Sequence, residues 1–273
     1  MKQAIFGYGG HAREVAMQMG GEVTFFVDNK YSNGVAKPIS EFNILEYEIL
    51  VAVANPQERE EIVNRLPSLT TFTTFVHPTA IISQNFDVII GEGSFIGANS
   101  IITTNVNIGN HAILNRGNHI GHDCNIGNYL SMMPGSIISG NVNIGDNVYL
   151  GTNSSIRENL SISSNTLVGL NGGVIKNITE GGIYVGTQAT TTIKNCIFNE
   201  CYSDDAYDSY GAAIYTKGTT TITNCLFYDN KADYASYGGI VYVGGTNPTA
   251  ITNCTFTENV EGYALYINDG ASN

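Results

Sequence analysis

The stretch that decides the fold runs from Ile90 to Gly127 and reads IGEGSFIGANSIITTNVNIGNHAILNRGNHIGHDCNIG. An apolar residue occupies every sixth position in it, and the same step continues to Val174, giving 15 apolar positions before Glu180 ends the run. These residues are Ile90, Ile96, Ile102, Ile108, Leu114, Ile120, Ile126, Met132, Ile138, Ile144, Leu150, Ile156, Ile162, Val168 and Val174. Neither a helix nor a single strand has this period. A triangular β-helix does, because three hexads, one for each side, make one coil, and the sequence predicts this fold.

Two further positions of the repeat carry structural information. Small or modest side chains stand two residues before many of the apolar ones, and we predict that they point into the narrow interior. They are Ser94, Ser100, Val106, Ala112, Cys124, Ser136 and Ser154. Glycine often follows the apolar residue directly, and we predict that the chain turns tightly there. These glycines are Gly91, Gly97, Gly109, Gly121, Gly127, Gly145 and Gly151.

The repeat resembles the left-handed parallel β-helix of the hexapeptide-repeat acyltransferases. Residues 1–187 resemble one branch of them, the sugar-nucleotide N-acetyltransferases that act on 4-amino-4,6-dideoxy sugars. The motifs that carry this resemblance are GYGGHAREV, FVDN, HDCNIG, MPGSIISGNVNIG and YVGTQA. The last motif departs from the family, because Gln188 stands where a proline is usual. The resemblance implies acetyl-CoA as cosubstrate and a nucleotide-linked amino sugar as substrate. We expect no metal, because only one cysteine lies in the first 187 residues and no histidine follows His122.

The residues before the repeat form a separate unit. Alternating strand and helix patterns predict a small α/β, Rossmann-like domain over residues 1–76, ahead of a β-helix domain over 77–187. The turn GYGGHA fits a glycine pattern that lets a pyrophosphate approach a helix N-terminus, and Asp28 follows where an acid contacts a ribose. These residues alone leave open a NAD site, or a purely structural turn with Asp28 in a loop. The resemblance implies that the nucleotide sugar is bound by Gly7, Gly9, Gly10, His11 and Asp28.

The stretch NRGNHIGHD holds the candidate catalytic residues. The repeat places Ile120 inside, and His119 and His122 outside, so geometry alone does not choose between the two histidines. Cys124 falls on an interior position and is predicted to be core. His111 lies in another hexad without an acidic neighbour, and we predict that it faces solvent.

Transfer of an acetyl group to an amine needs a base with a pKa near neutrality, and histidine has such a pKa. Asp123 can orient the ring of His122 and stabilise its protonated form. The resemblance assigns these same two residues as base and acidic partner, and Asn115 as a substrate contact. It gives no role to His119. Ser131 stands where the family often has a second histidine that contacts acetyl-CoA, and Gly140 matches a glycine beside the CoA arm.

Residues 188–273 follow a different and longer period. The segments TIKNCIF, TITNCLF and AITNCTF place Cys196, Cys225 and Cys254 at equal intervals. Asn195, Asn224 and Asn253 precede the cysteines, and Phe198, Phe227 and Phe256 follow them. The pattern resembles coils of a right-handed parallel β-helix of the adhesin or polymorphic outer-membrane-protein type, with stacked internal cysteines and phenylalanines. The acidic residues Asp204, Asp205 and Asp208 fit a solvated loop better than a calcium loop.

Composition limits the partners. The formal net charge of −12 argues against binding to nucleic acid or to an anionic membrane. The N-terminus lacks the apolar core of a signal peptide, and we expect a cytoplasmic protein with reduced cysteines. Triangular prisms of this kind usually form homotrimers with active sites between subunits, so we expect a trimer.

Two classes of function remain open. The first is an acetyltransferase that acts on a nucleotide-linked 4-amino-4,6-dideoxy sugar. The second is a structural or scaffold protein, a chimera in which two β-helices of opposite hand meet near residues 186–191. We interpret the change of period there as a fusion, engineered rather than natural.

Overall fold

The computed structural model describes residues 1–83, 87–174, 183–185, 190–194, 197–199, 201–203, 211–232, 239–260 and 263–268. The chain divides into two compact units, residues 1–135 and residues 136–273. All strand pairings in the described ranges that are given below are parallel. The unit boundary differs from the predicted domain boundaries at 76 and 187, which stay predictions.

The N-terminal part of the first unit is a parallel sheet with two longer helices. Its strands run in the order β3-β2-β1-β4. They are β1 (Lys2–Phe6), β2 (Thr24–Val27), β3 (Lys37–Pro38) and β4 (Tyr47–Val51). Helix α1 spans Gly10–Met19 and helix α2 spans Pro56–Arg65. Two short 3-10 helices cover Asn29–Tyr31 and Ile39–Glu41.

The remainder of the first unit consists of short strands stacked in three columns. The first column contains Phe75–Val76, Phe95–Ile96, Ile113–Leu114 and Ser131–Met132. The second contains Ile81–Ile82, Ile101–Ile102 and His119–Ile120. The third contains Val88–Ile90, Val106–Ile108 and Asn125–Ile126. Partners in neighbouring coils are three hexads apart in most of these pairs, for example Ile102 and Ile120. The predicted coil length is therefore confirmed.

The interior of the coils is filled as predicted. Fourteen of the fifteen repeat residues, from Ile96 to Val174, are buried, and Ile90 is half-buried. The seven small residues two positions earlier are buried as well, including Cys124 at 2% exposure. Ser100 illustrates how a polar side chain is accommodated there, because its hydroxyl donates to the carbonyl oxygen of Asn115 at 3.1 Å. The six-residue pattern thus specifies the core directly.

The corners of the coils use a left-handed backbone residue at every sixth position. All fourteen positions from 93 to 171 in this step have a positive φ, between +54° and +74°. They are Gly93, Asn99, Asn105, His111, Gly117, Asp123, Tyr129, Gly135, Asn141, Asn147, Asn153, Asn159, Asn165 and Asn171. Asparagine dominates because it tolerates this conformation better than other residues with a side chain.

The predicted role of the glycines that follow the apolar residues is therefore wrong. Gly97 and Gly109 do not have a positive φ, and the turns are made three residues after the apolar position instead. A Cβ on Gly97 would lie 2.9 Å from the carbonyl carbon of Asn115, and one on Gly109 would lie 2.6 Å from that of Gly127. Glycine is needed here because the next coil passes too close for a side chain.

The second unit begins with further coils of the same kind. Its short strands are Ile137–Ile138, Asn143–Ile144, Tyr149–Leu150, Ser155–Ile156, Ser161–Ile162, Leu167–Val168 and Gly173–Val174. The strand Ile183–Val185 then pairs with Leu167–Val168 on one side and with Ile214–Thr216 on the other. One parallel sheet of this unit therefore contains strands from both repeat systems.

The longer repeat that carries the cysteines forms three stacked columns of its own. They contain Thr190–Lys194, Thr219–Thr223 and Thr249–Thr252; Ile197–Asn199, Leu226–Tyr228 and Thr255–Thr257; and Tyr202–Ser203 with Lys231–Ala232. The sheet that holds Ile183–Val185 continues through Gly239–Gly244 to Tyr263–Asn268. The handedness predicted for the two kinds of coil stays a prediction.

The predicted internal ladder of phenylalanines is confirmed. The ring of Phe227 stacks on Phe198 at 4.8 Å and on Phe256 at 4.4 Å between centroids. Cys225 is buried in the same cluster, and Cys254 packs against it. Cys196, its neighbour Asn195 and the acidic residues Asp204, Asp205 and Asp208 lie outside the described residues.

Within the first unit, Arg59 joins helix α2 to the coils. Its side chain is buried, and its guanidinium donates to the carbonyl oxygens of Val53 (2.5 Å), Ala54 (3.4 Å), His111 (2.8 Å), Tyr129 (2.6 Å) and Leu130 (3.1 Å). Burial lowers the pKa of Arg59 to about 9. A buried cation bonded only to carbonyls is costly to remove, because each carbonyl would lose its partner.

No helix in the described ranges is both long and apolar enough to cross a membrane.

Replacing Arg59 by methionine tests this connection. We expect a loss of about 3 kcal/mol or more in the free energy of unfolding of the first unit, since several buried carbonyls lose a donor. The urea midpoint followed by circular dichroism measures the loss. Lys2→Met is the matched control, because Lys2 makes only an exposed ion pair with Glu46. Equal midpoints for the two variants would contradict the role of Arg59.

Candidate functional site

Helix α1 lies along one corner of the coils in the first unit. The Gln18 side-chain oxygen accepts a hydrogen bond from the Ala98 N–H at 2.8 Å, and Glu14 forms an ion pair with Arg116 at 3.2 Å. Ala98 and Arg116 are three hexads apart and occupy the same corner of successive coils. One turn of helix rises about 5.4 Å and neighbouring strands lie about 4.8 Å apart, so α1 advances one coil per turn. The first turn of α1, which begins at Gly10, therefore lies one turn beyond Glu14 along the same corner.

The glycine turn before α1 has the geometry that its sequence predicts. Gly7 has a φ of +117°, and a Cβ there would lie 3.3 Å from both the Ala12 Cβ and the Ala52 carbonyl oxygen. Gly9 is the N-cap of α1 and makes no side-chain cap, while Gly10 is the first helical residue. A Cβ on Gly9 or Gly10 would meet nothing within 4 Å. The backbone amides at this helix N-terminus are thus open to an anion.

His11 follows in the first turn of α1. Its Nε2 atom is buried and has no hydrogen-bond partner in the structure. Burial lowers the pKa of His11, Glu14 raises it, and Arg59 and Arg116 lower it. His11 and Glu14 lie three positions apart in α1 and therefore on the same face of the helix. A buried ring nitrogen without a partner is a group that a ligand can satisfy.

Asp28 lies directly after β2, at the edge of the sheet where Gly7 follows β1. Its carboxylate forms an ion pair with Arg65 at 2.8 Å, and the Arg65 guanidinium lies 5.5 Å from the centroid of the Phe6 ring. Sequence reasoning missed Arg65. The arginine side chain is half-exposed, so the pair is open to water on one side.

The two residues of the predicted catalytic pair are in direct contact. His122 Nδ1 lies 2.7 Å from Asp123 Oδ2, and the two side chains are 64% and 51% exposed. The second carboxylate oxygen of Asp123 accepts a hydrogen bond from Asn105 Nδ2 at 3.0 Å. Hydrogen bonds from Asn105 and His122 lower the pKa of Asp123. The carboxylate is therefore ionised at neutral pH and positioned from two sides.

Asp123 also occupies a structural position of the repeat. Its φ is +59°, and Asn105, the equivalent residue one coil earlier, has a φ of +54°. At a later corner of the same kind, Asn141 donates to Asn159 at 2.8 Å. Asp123 therefore replaces an asparagine of a corner ladder and adds a charge beside His122. His119, the other exposed histidine of the motif, lies on the strand His119–Ile120.

The remaining predicted site residues lie at different places. Asn115 is buried at the corner next to Arg116, and its side-chain oxygen accepts the Arg116 N–H at 2.8 Å. Ser131 is fully buried, and its hydroxyl donates to the Ala54 carbonyl oxygen at 2.7 Å. This contact differs from the predicted one with acetyl-CoA. Gly140 belongs to the second unit and is half-buried.

The structure separates the predicted substrate residues in the first unit. Asn115 and His122 lie at the two ends of one side of a coil, with the strand His119–Ile120 between them. A six-residue side is about 20 Å long when extended. The glycine turn and α1 lie at the Asn115 end. The catalytic pair of the same chain lies at the other end.

The prediction that His111 faces solvent is wrong. His111 is only 4% exposed, stacks on Tyr129 at 5.3 Å between ring centroids, and meets Phe72 edge-on at 4.6 Å. Its ring occupies the space beside Gly93, where a Cβ would come within 2.1 Å of its Nδ1 atom. The sequence contained a signal for this burial. His111 occupies a left-handed corner, and the equivalent residue one coil earlier is Gly93, which has no side chain to fill the space.

Comparisons with known proteins agree with this architecture. Residues 2–66 match the family described as the PglD N-terminal domain. The acetyltransferase domain of PglB from Neisseria gonorrhoeae is 26% identical, with a TM-score of 0.62, and the match covers 69% of this chain and 98% of that one. The same domain in complex with acetyl coenzyme A is 27% identical, with a TM-score of 0.59 over 69% and 97% of the two chains.

Two further structures share the fold. WeeI from Acinetobacter baumannii is 26% identical, with a TM-score of 0.62 over 69% of this chain and 98% of that one. PerB from Caulobacter crescentus, in complex with CoA and GDP-perosamine, is 24% identical, with a TM-score of 0.60 over 69% and 96%. No curated protein matches the chain. The prediction that the chain is an enzyme of the acyltransferase class is confirmed by these comparisons.

Acidic, cysteine and histidine side chains do not cluster in threes around a possible metal position anywhere in the part of the chain that the structure describes. The predicted absence of a metal stays a prediction.

The buried His111 predicts a pH dependence of stability. Burial and the nearby Arg59 lower its pKa from 6.5 to about 4. As the pH falls, His111 is therefore protonated in the unfolded chain before it is protonated in the folded one. The free energy of unfolding is highest above pH 6.5 and decreases as the pH falls from 6.5 towards 4. We expect a loss of about 3 kcal/mol over this range.

The matched variant is His111→Asn, because asparagine tolerates the same corner conformation and does not titrate. The free energy of unfolding is measured by urea titration at several pH values between 7 and 4. It should fall less steeply with decreasing pH in the variant than in the wild type. Parallel curves for the two proteins would contradict the assignment.

Proposed function

We propose that this chain transfers the acetyl group of acetyl-CoA to the amine of a nucleotide-linked 4-amino-4,6-dideoxy sugar. The observation that carries the proposal is the contact between His122 and Asp123 at 2.7 Å, on an exposed corner of a repeat shared with an acetyltransferase domain. The complex of that domain with acetyl coenzyme A supports the choice of cosubstrate. The match of residues 2–66 to the PglD N-terminal domain supports the assignment of the glycine turn.

His122 acts as the general base in this proposal. With its proton on Nδ1 and donated to Asp123, the Nε2 lone pair is free to accept a proton. The substrate amine attacks the thioester carbonyl carbon, and a proton passes from the nitrogen to Nε2 as the tetrahedral intermediate forms. The C–S bond then breaks, and CoA leaves with the proton. Asp123 stabilises the imidazolium that exists between the two steps.

The N-terminal sheet holds the nucleotide. Gly7 and Gly9 let the backbone approach the diphosphate, the α1 amides from Gly10 onward bind it, and His11 donates or accepts a bond at Nε2. Asp28 contacts the ribose or the base. Its ion pair with Arg65 at 2.8 Å fixes the carboxylate without covering it. The NAD alternative is weakened because the PglB domain, a solved structure of similar fold, is an acetyltransferase domain.

Acetyl-CoA binds along the outside of the coils. Gly140 lets its arm pass near the backbone, and Ser131 is the predicted polar contact. Because the Ser131 hydroxyl is bonded to Ala54, it reaches the thioester only by giving up that bond.

The spacing of the site residues supports the expected trimer. Asn115 and the catalytic pair of one chain lie at opposite ends of one side of a coil, which is about 20 Å long when extended. A threefold arrangement brings the His122 corner of one prism beside the Asn115 corner of the next, so one substrate contacts both. The cytoplasmic location stays a prediction.

A scaffold function is the second candidate. The observation that favours it is the strand Ile183–Val185, which pairs in parallel with strands of both repeat systems. Such pairing is what a chain built to continue one β-helix into another requires. The origin of the chain as a fusion and the opposite hand of its coils belong to this proposal.

Thiol release from acetyl-CoA separates the two functions. The chain is mixed with dTDP-, UDP- and GDP-linked 4-amino-4,6-dideoxyhexoses, including GDP-perosamine, and CoA is detected with a disulfide reagent. Release with one of them supports the acetyltransferase, and silence with all three supports the scaffold.

Variants of the catalytic pair test the mechanism. His122→Ala should lower kcat about 10²–10⁴-fold, because the amine loses its base. Asp123→Asn should retain the corner conformation and the bond to Asn105, since asparagine fills this position elsewhere in the repeat, yet lower kcat by about tenfold or more through loss of the charge. His119→Ala, on the adjacent strand, is the control and should leave kcat unchanged. Wild-type turnover in His122→Ala would move the base elsewhere.

The assembly is tested by sedimentation equilibrium. A trimer should have about three times the chain mass of 29.3 kDa. A mass near that of one chain at the concentrations used for activity would contradict the shared site.

A further inference from the structure

The ion pair between Glu14 and Arg116 lies beside the proposed nucleotide site. The two side chains are 102 positions apart in sequence, and their closest atoms are 3.2 Å apart. Both are about half-exposed, at 47% for Glu14 and 52% for Arg116. Exposed pairs of this kind contribute little to stability, so the arginine can change partner at small cost.

The position of Arg116 is fixed by its backbone. Its N–H donates to the Asn115 side-chain oxygen at 2.8 Å, and the next residue, Gly117, donates its N–H to the Ala98 carbonyl oxygen at 2.8 Å. Glu14 lies one helical turn after Gly10, so the guanidinium lies on the same corner as the open α1 N-terminus. His11, whose buried Nε2 atom has no partner, experiences the charge of Arg116.

The nearby arginines of the first unit are engaged differently. Arg59 is buried among carbonyl oxygens, Arg65 is paired with Asp28, and Arg13 lies over the Tyr8 ring at 5.7 Å. The chain as a whole carries a net charge of −12. An anionic diphosphate therefore needs a local cation to offset the surrounding negative charge.

We propose that Arg116 binds the diphosphate of the nucleotide sugar opposite the N-terminus of α1, and that Glu14 is its counter-ion only in the absence of substrate. The inference rests on the proposed function and adds the residue that selects a diphosphate over a monophosphate. The planar guanidinium donates two hydrogen bonds to phosphate oxygens. Glu14 competes with the substrate for the same donors.

This competition predicts opposite effects for the two partners. Arg116→Gln should weaken the binding of a nucleoside diphosphate about tenfold, the loss expected for a charge-assisted contact. Arg116→Lys should retain part of the affinity. Glu14→Gln should strengthen binding about twofold or more, because it frees the guanidinium. If the ion pair were purely structural, both Arg116→Gln and Glu14→Gln would weaken the binding of the nucleoside diphosphate.

The test is calorimetric titration of GDP, UDP and dTDP into the full chain, followed by the matching monophosphate and nucleoside of the tightest binder. Arg116→Gln should affect the diphosphate about tenfold and the nucleoside less than about twofold. Lys2→Gln is the control for net charge, since Lys2 forms an exposed pair with Glu46 on the same sheet, and it should leave the affinities unchanged. Equal melting temperatures establish that the variants are folded.

Three results of the titrations overturn the inference: no binding of any diphosphate at millimolar concentration, an equal loss for diphosphate and nucleoside, or weaker binding by Glu14→Gln. Thiol release separates this inference from the proposed function. If the wild type acetylates an amino sugar but Arg116→Gln leaves the KM for the nucleotide sugar unchanged, the inference alone fails. If diphosphate affinity depends on Arg116 while no sugar is acetylated, the proposed function alone fails.

Discussion

A backbone residue in the left-handed conformation at every sixth position bends this chain into coils. Each such residue is strained unless it is glycine, asparagine or aspartate, or is held by tertiary contacts. The corners repeat without interruption from Gly93 to Asn171. They bring fourteen of the fifteen apolar repeat residues to the interior, and most strands of the first unit pair with the one that lies three hexads earlier. The core, the columns of strands and the exposed corners all depend on this constraint.

The same constraint positions the chemistry. Asp123 fills a corner that asparagine fills in most other coils, so its carboxylate is held by Asn105 and directed at His122. His111 fills an equivalent corner but turns inward, because Gly93 leaves space and Phe72 and Tyr129 supply aromatic contacts. Their positions in the repeat give both residues the same left-handed backbone conformation. The residues of the neighbouring coils and of the N-terminal sheet decide which one meets solvent.

Predictions from the repeat succeeded where the position of a residue in the repeat alone determines whether its side chain is buried, exposed or stacked. The buried Cys124, the exposed His122 and the stacked phenylalanines follow from spacing alone. The prediction for His111 failed because its burial depends on residues far away in sequence. The role of Gly97 and Gly109 was misjudged because it depends on how closely the next coil approaches. Arg59 and the pair of Glu14 with Arg116 were missed for the same reason, since their partners lie 52 to 102 positions away.

In the proposed mechanism, His122 accepts a proton from the amine of a bound nucleotide sugar. A crystal structure of the chain with CoA and a nucleotide-linked 4-amino sugar tests it most directly. We expect the amine nitrogen to lie within about 3.2 Å of His122 Nε2, with the CoA sulfur on the other side of that nitrogen. A bound sugar whose amine lies beyond hydrogen-bond reach of every His122 in the assembly, with no water between them, would contradict it.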